Sequence, residues 1–401
     1  MKKKRGFAGI LESLDEARDR RLERKLPGWA DRGIVVPMAL ALEQCSSSAT
    51  ASYKVRLALS RLGGRPESVC DITGGLGADS AAFAAVAGRL VYMERNPVLV
   101  EAARANFSAL GLDNVEFRCE EVGLGSEIPE CRLIVADPAR RSESGRKLFR
   151  LEDCSPDIGA LAPYLLRKAE WLMVKLSPMA DISVLAARFG AALREVHVVG
   201  SGGEVRELLC LLSREVGEFR GITAVELGAR EDGSDECFSF LPEEEKIGRF
   251  TAAGRLEPGG ILLEPCACLL KAGAFKLPCS RFGLGKLAPS THLYMAPDGG
   301  ELPPRGLFRR FVVKEVLPLN SASIRELKSR GLKADVSARN LHLSSDELRR
   351  RLGCMPGDGL HVFGCSSLCC GNVLIIAGPP EEFTVPCPCT TEPADNCRIS
   401  A

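Results

Sequence analysis

Apolar and polar residues follow two rhythms along this chain. In 7–25 and 36–64 the apolar positions recur at helical spacing among acids and bases, and the second stretch breaks around "EQCSSS". From Glu67 onward, short apolar runs alternate with longer amphipathic ones. "SVCDI" (68–72), "RLVYME" (89–94), "NVEFRC" (114–119), "CRLIVAD" (131–137), "EWLMVKL" (170–176) and "REVHVVG" (194–200) read as strands, with "VRELLCLLSR" (205–214) as the last. Between them "GADSAAFAAVAG", "NPVLVEAARANFSALG", "DIGALAPYLLRKA" and "DISVLAARFGAAL" read as helices. This alternation predicts a doubly wound α/β domain with a mainly parallel, Rossmann-like sheet. "AREDGSD" and "LPEEEK" read as exposed turns that close it near residue 250. After the linker "DGGELPPRG" the pattern is strand, helix, strand, helix, strand, strand up to Ile376, a compact α+β module. The expected divisions are a helical segment at 1–64, the α/β domain at 65–250, a small region at 258–300, the α+β module at 305–378 and a Pro- and Thr-rich tail at 379–401.

Composition narrows the class. With 401 residues, 45% of them hydrophobic, the chain can build more than one packed core. No apolar run approaches the ~20 residues of a membrane span. The N-terminus alternates acids and bases after its basic start, so it reads as a solvated helix rather than a secretory signal. The seventeen cysteines include no C-x-x-C, and the four histidines complete no zinc spacing. Cys70 and Cys131 fall inside apolar runs. Cys266/Cys268, Cys365/Cys369/Cys370 and Cys387/Cys389/Cys397 are the groupings a cluster or zinc could use, but reduced thiols in a cytoplasm are the simpler reading, and no metal is expected. Net charge is only +1, yet Glu301–Arg351 holds twelve Lys or Arg against six Asp or Glu, a net +6. That is a candidate phosphate-binding footprint on a near-neutral body.

Two motifs carry chemistry. "DITGGLGADS" (71–80) follows the first strand and opens a helix, and Glu94 ends the next strand. Gly74, Gly75 and Gly77 permit a tight turn, and an acid at the position of Glu94 suits ribose hydroxyls. A dinucleotide fingerprint would need a third glycine where Ser80 stands, and Asp71 would repel a diphosphate. S-adenosylmethionine lacks phosphate and carries an ammonium and a sulfonium, so it is the expected cofactor. Asp71, Thr73, Gly74, Gly75, Gly77, Asp79, Glu94 and Arg95 are its candidate binding residues, with Glu120 or Glu121 at the third strand end for the adenine amine. The second motif, "LIVADPARRS" (133–142), puts Asp137 and Pro138 at the end of the fourth strand, facing the same crevice. A carboxylate and a backbone carbonyl there can accept the hydrogens of an exocyclic amine and hold its nitrogen in line with a methyl donor. The loop beyond is basic, with Arg140, Arg141, Arg146, Lys147 and Arg150 suited to phosphates or to stacking on a base. "VKLSP" places Lys175 and Ser177 at the end of the fifth strand, on the same side.

Asp137-Pro138 resembles the (D/N)-P-P-(Y/F/W) motif of class I methyltransferases acting on exocyclic amines, with Ala139 and Arg140 in place of proline and the stacking aromatic. "DITGGLGADSAAFA" with "MERNP" is similar to the small-subunit rRNA guanine-N2 methyltransferase and trimethylguanosine synthase patterns. "EQCSSSATASYK" (43–54), "DPARRS", "VKLSPMADI", "HVVG", "LLEPCACLLKAGAFK" (262–276) and "ADVSARNLHLSSDELRRRLG" (334–353) together resemble bacterial class I methyltransferases that carry a ferredoxin-like region and a C-terminal THUMP-like domain. The resemblance covers most of the chain. It implies a methyltransferase using S-adenosylmethionine and directed to RNA, rRNA or tRNA, rather than DNA or a membrane. It also implies that 43–54, with Glu43, Ser46, Ser47, Thr50 and Lys54, folds over the cofactor, although helix capping explains the serines and threonine equally well. In the C-terminal module Arg339 and Asn340 occupy the family's R-N pair, and Arg349 and Arg350, with Arg351, suit RNA backbone contacts. The competing readings are a small-molecule methyltransferase and a non-catalytic RNA-binding protein of the same fold. A C5-pyrimidine mechanism would need a nucleophilic cysteine, for which Cys154 is the nearest candidate.

Overall fold

Helices begin where short polar side chains can take up backbone amides. After α1 (Phe7–Lys25) and α2 (Ala39–Gln44), Ser47 accepts the Thr50 amide to start α3 (Ser48–Leu62), and left-handed Gly63 ends it. α4 (Ala78–Ala84) leaves the glycine turn. Asn96 caps α5 (Pro97–Ala109), whose first residue is a proline, and Asp157 and Asp181 cap α6 (Ile158–Lys168) and α7 (Ile182–Phe189).

The computed structural model describes residues 7–140 and 151–380. The chain divides into two units. One comprises Met1–Phe250, Pro265–Phe282 and Leu302–Arg309; the other comprises Thr251–Glu264, Gly283–Glu301 and Arg310–Ala401. The first unit is built on strands β1 (Ser68–Asp71), β2 (Arg89–Glu94), β3 (Val115–Cys119), β4 (Cys131–Ala136), β7 (Ala169–Leu176), β8 (Leu193–Ser201), β9 (Glu204–Ser213), β10 (Ile222–Glu226) and β11 (Glu236–Phe240). A two-residue ladder of β5 (Ala139–Arg140) and β6 (Cys154–Ser155) stands apart. The nine strands form one sheet in the order β11-β10-β8-β9-β7-β4-β1-β2-β3. The five neighbours β3-β2-β1-β4-β7 are parallel, as the alternation predicts.

The far half of the sheet departs from the expectation. β9 is not the last strand, and it runs antiparallel between β7 and β8. The cause is local: Gly202 and Gly203, both with positive φ, close a two-residue hairpin in which Ser201 pairs with Glu204. "LPEEEK" is not a turn but opens a short helix, α8 (Pro242–Ile247). β10 and β11 go unread in the sequence because charged turn residues surround them, and β11 alternates buried and exposed positions as an edge strand.

α3 belongs to this unit's core. Its Tyr53, Val55, Leu57, Ala58 and Leu62 pack in one cluster with Val69, Leu90, Tyr92, Phe107 and Leu209. α9 (Ala267–Ala272) and α10 (Leu277–Phe282) also fall within this unit.

The second unit centres on a seven-stranded sheet. β12 (Ile261–Pro265), β13 (Gly285–Ala288) and β14 (Thr291–Met295) come first in the chain, then β15 (Phe308–Pro318), α11 (Ser321–Arg330), β16 (Lys333–Arg339), α12 (Ser345–Leu352), β17 (Met355–Ser367) and β18 (Gly371–Gly378). The order is β13-β14-β12-β15-β18-β17-β16, so strands from 258–300 and from 305–378 share one sheet. From β15 onward the elements follow the order the sequence predicts.

Two glycines of the 74–77 turn answer to packing. A Cβ on Gly74 would lie 2.1 Å from the fully buried Tyr92 ring, and Gly77 combines φ 92° with a Cβ position 2.7 Å from Phe107. Tyr92 cannot swing aside, because its hydroxyl donates to the Gly75 carbonyl at 2.5 Å. Gly74→Ala should therefore destabilise the protein by about 1–3 kcal/mol, the cost of overpacking a core. Urea unfolding checks this, and Gly123→Ala, at a position with open space around it and, like Gly74, no positive φ, shows the effect of an added methyl without overpacking.

Candidate active site

The carboxyl ends of β1, β2, β3, β4 and β7 lie along one edge of the parallel half of the sheet, and the motif residues sit on it. At the tip of β1, Asp71 is buried, and both of its oxygens are used inside the turn. Oδ1 accepts the Thr73 amide at 3.0 Å, and Oδ2 accepts the Ser80 hydroxyl. Asp71 thus shapes the loop that the sequence reading assigned to the cofactor. Burial drives its pKa from 3.8 to about 7, against the Ser80 and Thr73 hydrogen bonds that lower it.

At the tip of β2, Glu94 accepts the Gly75 amide at 3.0 Å on one oxygen and the Asn96 amide at 2.9 Å on the other. Each oxygen keeps a second acceptor site. Past β3, Glu121 meets Arg95 at 3.2 Å and Ser155 at 2.8 Å, whereas the Glu120 amide bonds the Glu94 carbonyl.

Asp137 is tied to the glycine turn: its amide donates to Thr73 Oγ1 at 2.6 Å. Its Oδ2 accepts from Lys175 Nζ at 2.5 Å, so the end of β7 restrains the end of β4. Pro138 is buried. The Arg140 side chain and all of Arg141, Arg146, Lys147 and Arg150 lie outside the described residues. Cys154 is fully buried, a poor position for a nucleophile.

Beneath these groups lies a charge cluster that the sequence reading resolved only in part. Lys54, from α3, is fully buried, with Nζ 2.9 Å from both oxygens of Asp79, 2.6 Å from Ser46 Oγ and 3.1 Å from Glu207 Oε1. Ser46 also donates to Asp79 at 2.7 Å. Asp79 is therefore engaged by Lys54 and Ser46, and Glu207 is a site residue no motif announced. Glu207 reaches this edge because β9 is antiparallel, which sets its first residues beside the end of β7, Leu208 opposite Leu176.

Burial pushes the Lys54 ammonium down, but Asp79 and Glu207 outweigh it and leave its pKa raised. Lys175 is raised in the same way, burial being overcome by Asp137, Asp79 and Glu207. Burial lifts Asp79, and the two lysines pull it below the ordinary range, whereas Glu207 stays above it. Three carboxylates face two ammonium groups here, and Glu94 lies nearby on the same edge. This surplus of negative charge suits a cationic donor with no phosphate. Among the described residues no group of three or more His, Cys, Asp or Glu is placed to hold a metal.

The comparisons decide the family. A relative from Mycobacterium tuberculosis, named an uncharacterised S-adenosylmethionine-dependent methyltransferase, is 30% identical over 317 residues, 78% of this chain and 79% of its own. The chain belongs to the S-adenosylmethionine-dependent methyltransferases. A crystal structure from Porphyromonas gingivalis W83, of a provisionally named methyltransferase, is 31% identical with a TM-score of 0.78, covering 95% of this chain and 93% of that one. Family models match a ferredoxin-like domain at 262–300 and a THUMP-like domain at 308–379. The methyltransferase therefore uses S-adenosylmethionine, and no helix among its described residues is long and apolar enough to cross a membrane.

Several residues expected to meet substrate are spent within the second unit. Arg339 pairs with the buried Glu264 at 2.7 Å, and Asn340, with φ 54°, donates to Thr291 Oγ1 at 3.3 Å. These contacts hold both residues within the second unit, where the sequence reading expected RNA-facing groups, and the Arg339 side chain keeps 37% of its surface exposed. Arg349 pairs with Asp346, and the Arg350 guanidinium reaches the Asp346 carbonyl.

Two outcomes follow in this methyltransferase. Lys54→Met leaves Asp79 and Glu207 buried without their counter-charge and should cost about 3–5 kcal/mol; adding Glu207→Gln should recover part of it in the same denaturation assay. Asp71 binds its proton more tightly folded than unfolded, so it favours folding at low pH, and that contribution is lost as pH rises from 3.8 to about 7. The stability of wild type relative to Asp71→Asn should therefore fall across that window and level off above it.

Proposed function

We propose that this enzyme methylates an exocyclic amino group of a base in RNA, N2 of guanine or N6 of adenine. The observation that carries the reading is the hydrogen bond from the Asp137 amide to Thr73 Oγ1. It joins the amine-type Asp-Pro motif to the turn that the cofactor uses, so acceptor and donor would be held on one rigid edge. Bound there, S-adenosylmethionine supplies a methyl group activated by its sulfonium. Glu94 is suited to the donor's ribose hydroxyls through its remaining acceptor sites, with Gly75 and Gly77 lining the turn and Glu120 or Glu121 toward the adenine. Asp71 and Thr73 hold the turn, and Asp79 contributes negative charge from beneath.

On the acceptor side, the Asp137 carboxylate and the Pro138 carbonyl receive the amine hydrogens. That orients a nitrogen whose lone pair is otherwise spread into the ring. Lys175 fixes the carboxylate's direction, and Asp137 is the base in reach of the proton that the nitrogen releases. Positioning of this kind can supply roughly 7–11 kcal/mol of a barrier at best. The THUMP-like match and the net +6 of 301–351 support RNA as the carrier, with Arg140, Arg141, Arg349 and Arg350 as phosphate contacts.

The self-paired arginines of α12 favour a second reading, in which the acceptor is a small molecule and the second unit binds no RNA. Salt separates the two: RNA binding should weaken by up to ~0.9 log unit per phosphate contact for each tenfold rise in salt. The direct test is incubation with labelled S-adenosylmethionine and RNA from a strain lacking the protein, then nucleoside mass spectrometry. Label in N2-methylguanosine or N6-methyladenosine is expected, and label in neither defeats the proposal. Asp137→Ala should lower transfer by about 10²–10⁴-fold while calorimetric cofactor affinity stays near wild type. Glu94→Ala should weaken cofactor binding first.

A further inference from the structure

Seven of the fourteen described cysteines are packed away, while Cys119 and Cys237 are exposed singly. Cys70, Cys154, Cys210, Cys268, Cys279, Cys354 and Cys365 are buried, and burial pushes the Cys210 and Cys365 thiols to about 12. Cys369 and Cys370 differ. They sit on the exposed turn between β17 and β18, where Ser367 pairs with Gly371, and their Sγ atoms are 3.0 Å apart. The Ser367 hydroxyl lies 3.2 Å from the Cys369 sulfur. Against the upward push of burial, the Ser367 and Cys370 groups hold the Cys369 thiol below its ordinary range, while its neighbour lifts Cys370. Cys369 is thus the more readily ionised thiol of the adjacent pair, and both are open to solvent.

We propose that Cys369 and Cys370 form a redox-active vicinal dithiol that takes small-molecule disulfides as oxidants. The Cys369 thiolate attacks one sulfur of an R–S–S–R oxidant, whose S–S bond breaks; the leaving RS⁻ takes the Cys370 proton. Cys370, now a thiolate, attacks the Cys369 sulfur of the mixed disulfide and expels the second thiolate, which takes a proton from water. One protein thiolate and one thiol become one disulfide, and their two electrons, with the Cys370 proton and one from water, reduce R–S–S–R to two RSH.

The ring that forms is strained. Consecutive Cα atoms are ~3.8 Å apart across a trans peptide, inside the ~4.4–6.8 Å that relaxed disulfides span. Strained, exposed disulfides are the labile and regulatory ones, so reduced thiols reopen this one. The site is independent of the methyl-acceptor assignment.

The test treats the full-length protein with oxidised glutathione, quenches by alkylation and analyses chymotryptic fragments. Cleavage after Leu368 and Leu374 separates the pair from Cys354, Cys365 and the cysteines beyond residue 380. The expected wild-type fragment is unalkylated and lighter by two hydrogens, forms about tenfold faster than any adduct on exposed Cys119, and reopens with dithiothreitol. Cys370→Ser should instead trap one glutathione on Cys369, and Cys369→Ser should slow reaction at Cys370 to the Cys119 rate. A wild-type fragment with two alkylated thiols overturns the proposal. So does a stable mixed disulfide that never closes, or a Cys369→Ser protein that reacts as fast as wild type.

Discussion

The Lys54 ammonium has no water to solvate it, and the arrangement of the site follows from that. A buried charge of this kind survives only with counter-charges and hydrogen bonds around it. Three separate elements supply them: Asp79 from the first turn of α4, Glu207 from the start of β9, and Ser46 from the segment before α3. Each contact fixes its element against the others. The N-terminal helices are thereby part of the methyltransferase site rather than an appendage, and the glycine turn, which leads directly into α4, is anchored at its far end by Asp79.

From this anchor the charges alternate toward the acceptor side. Lys175 feels Asp79 and Glu207 behind it and holds Asp137 in front. Asp137 is fixed a second time through its amide on Thr73. A carboxylate held by Lys175, on a residue whose amide is fixed by Thr73, would need little reorganisation to meet the amine proposed as acceptor, a form of preorganisation that lowers barriers. The excess of carboxylate over ammonium points the same way, since a sulfonium donor meets compensating charge already in place.

Much of this was legible in residues 67–140. The glycine turn, the acid that ends β2 and the Asp-Pro at the end of β4 each stand at a strand terminus, where spacing alone orders them along the sheet edge. The strand and helix order from β15 onward was equally readable, because its turns are marked and its apolar periods are clean. What escaped reading depended on topology. Glu207 lies in an apolar run that looks like any buried strand, and only the antiparallel direction of β9 carries it to the site. The signal was present in Gly202–Gly203, a two-residue hairpin turn between two apolar runs. Lys54 could be marked as polar on a helix but not paired, because its partners lie 25 and 153 residues away. The Arg339 pairing was hidden for a similar reason: Glu264 lies 75 residues away in a buried run, and only the sheet sets it against the arginine.

That pairing bears on how the second unit would meet a polyanion. Arg330 lies between Glu315 and Glu326, Arg349 beside Asp346 and Arg351 beside Glu347. Such exposed pairs are weak, so a phosphate can displace them at little cost. Pairing also leaves the total unchanged: beyond a Debye length of about 8 Å a pair acts only as a small dipole. The net positive charge of 301–351, less the one charge that Glu264 offsets at Arg339, therefore persists whichever of these partners the arginines choose. On the RNA reading proposed above, charge of this kind would serve the nucleic-acid backbone and not the choice of base.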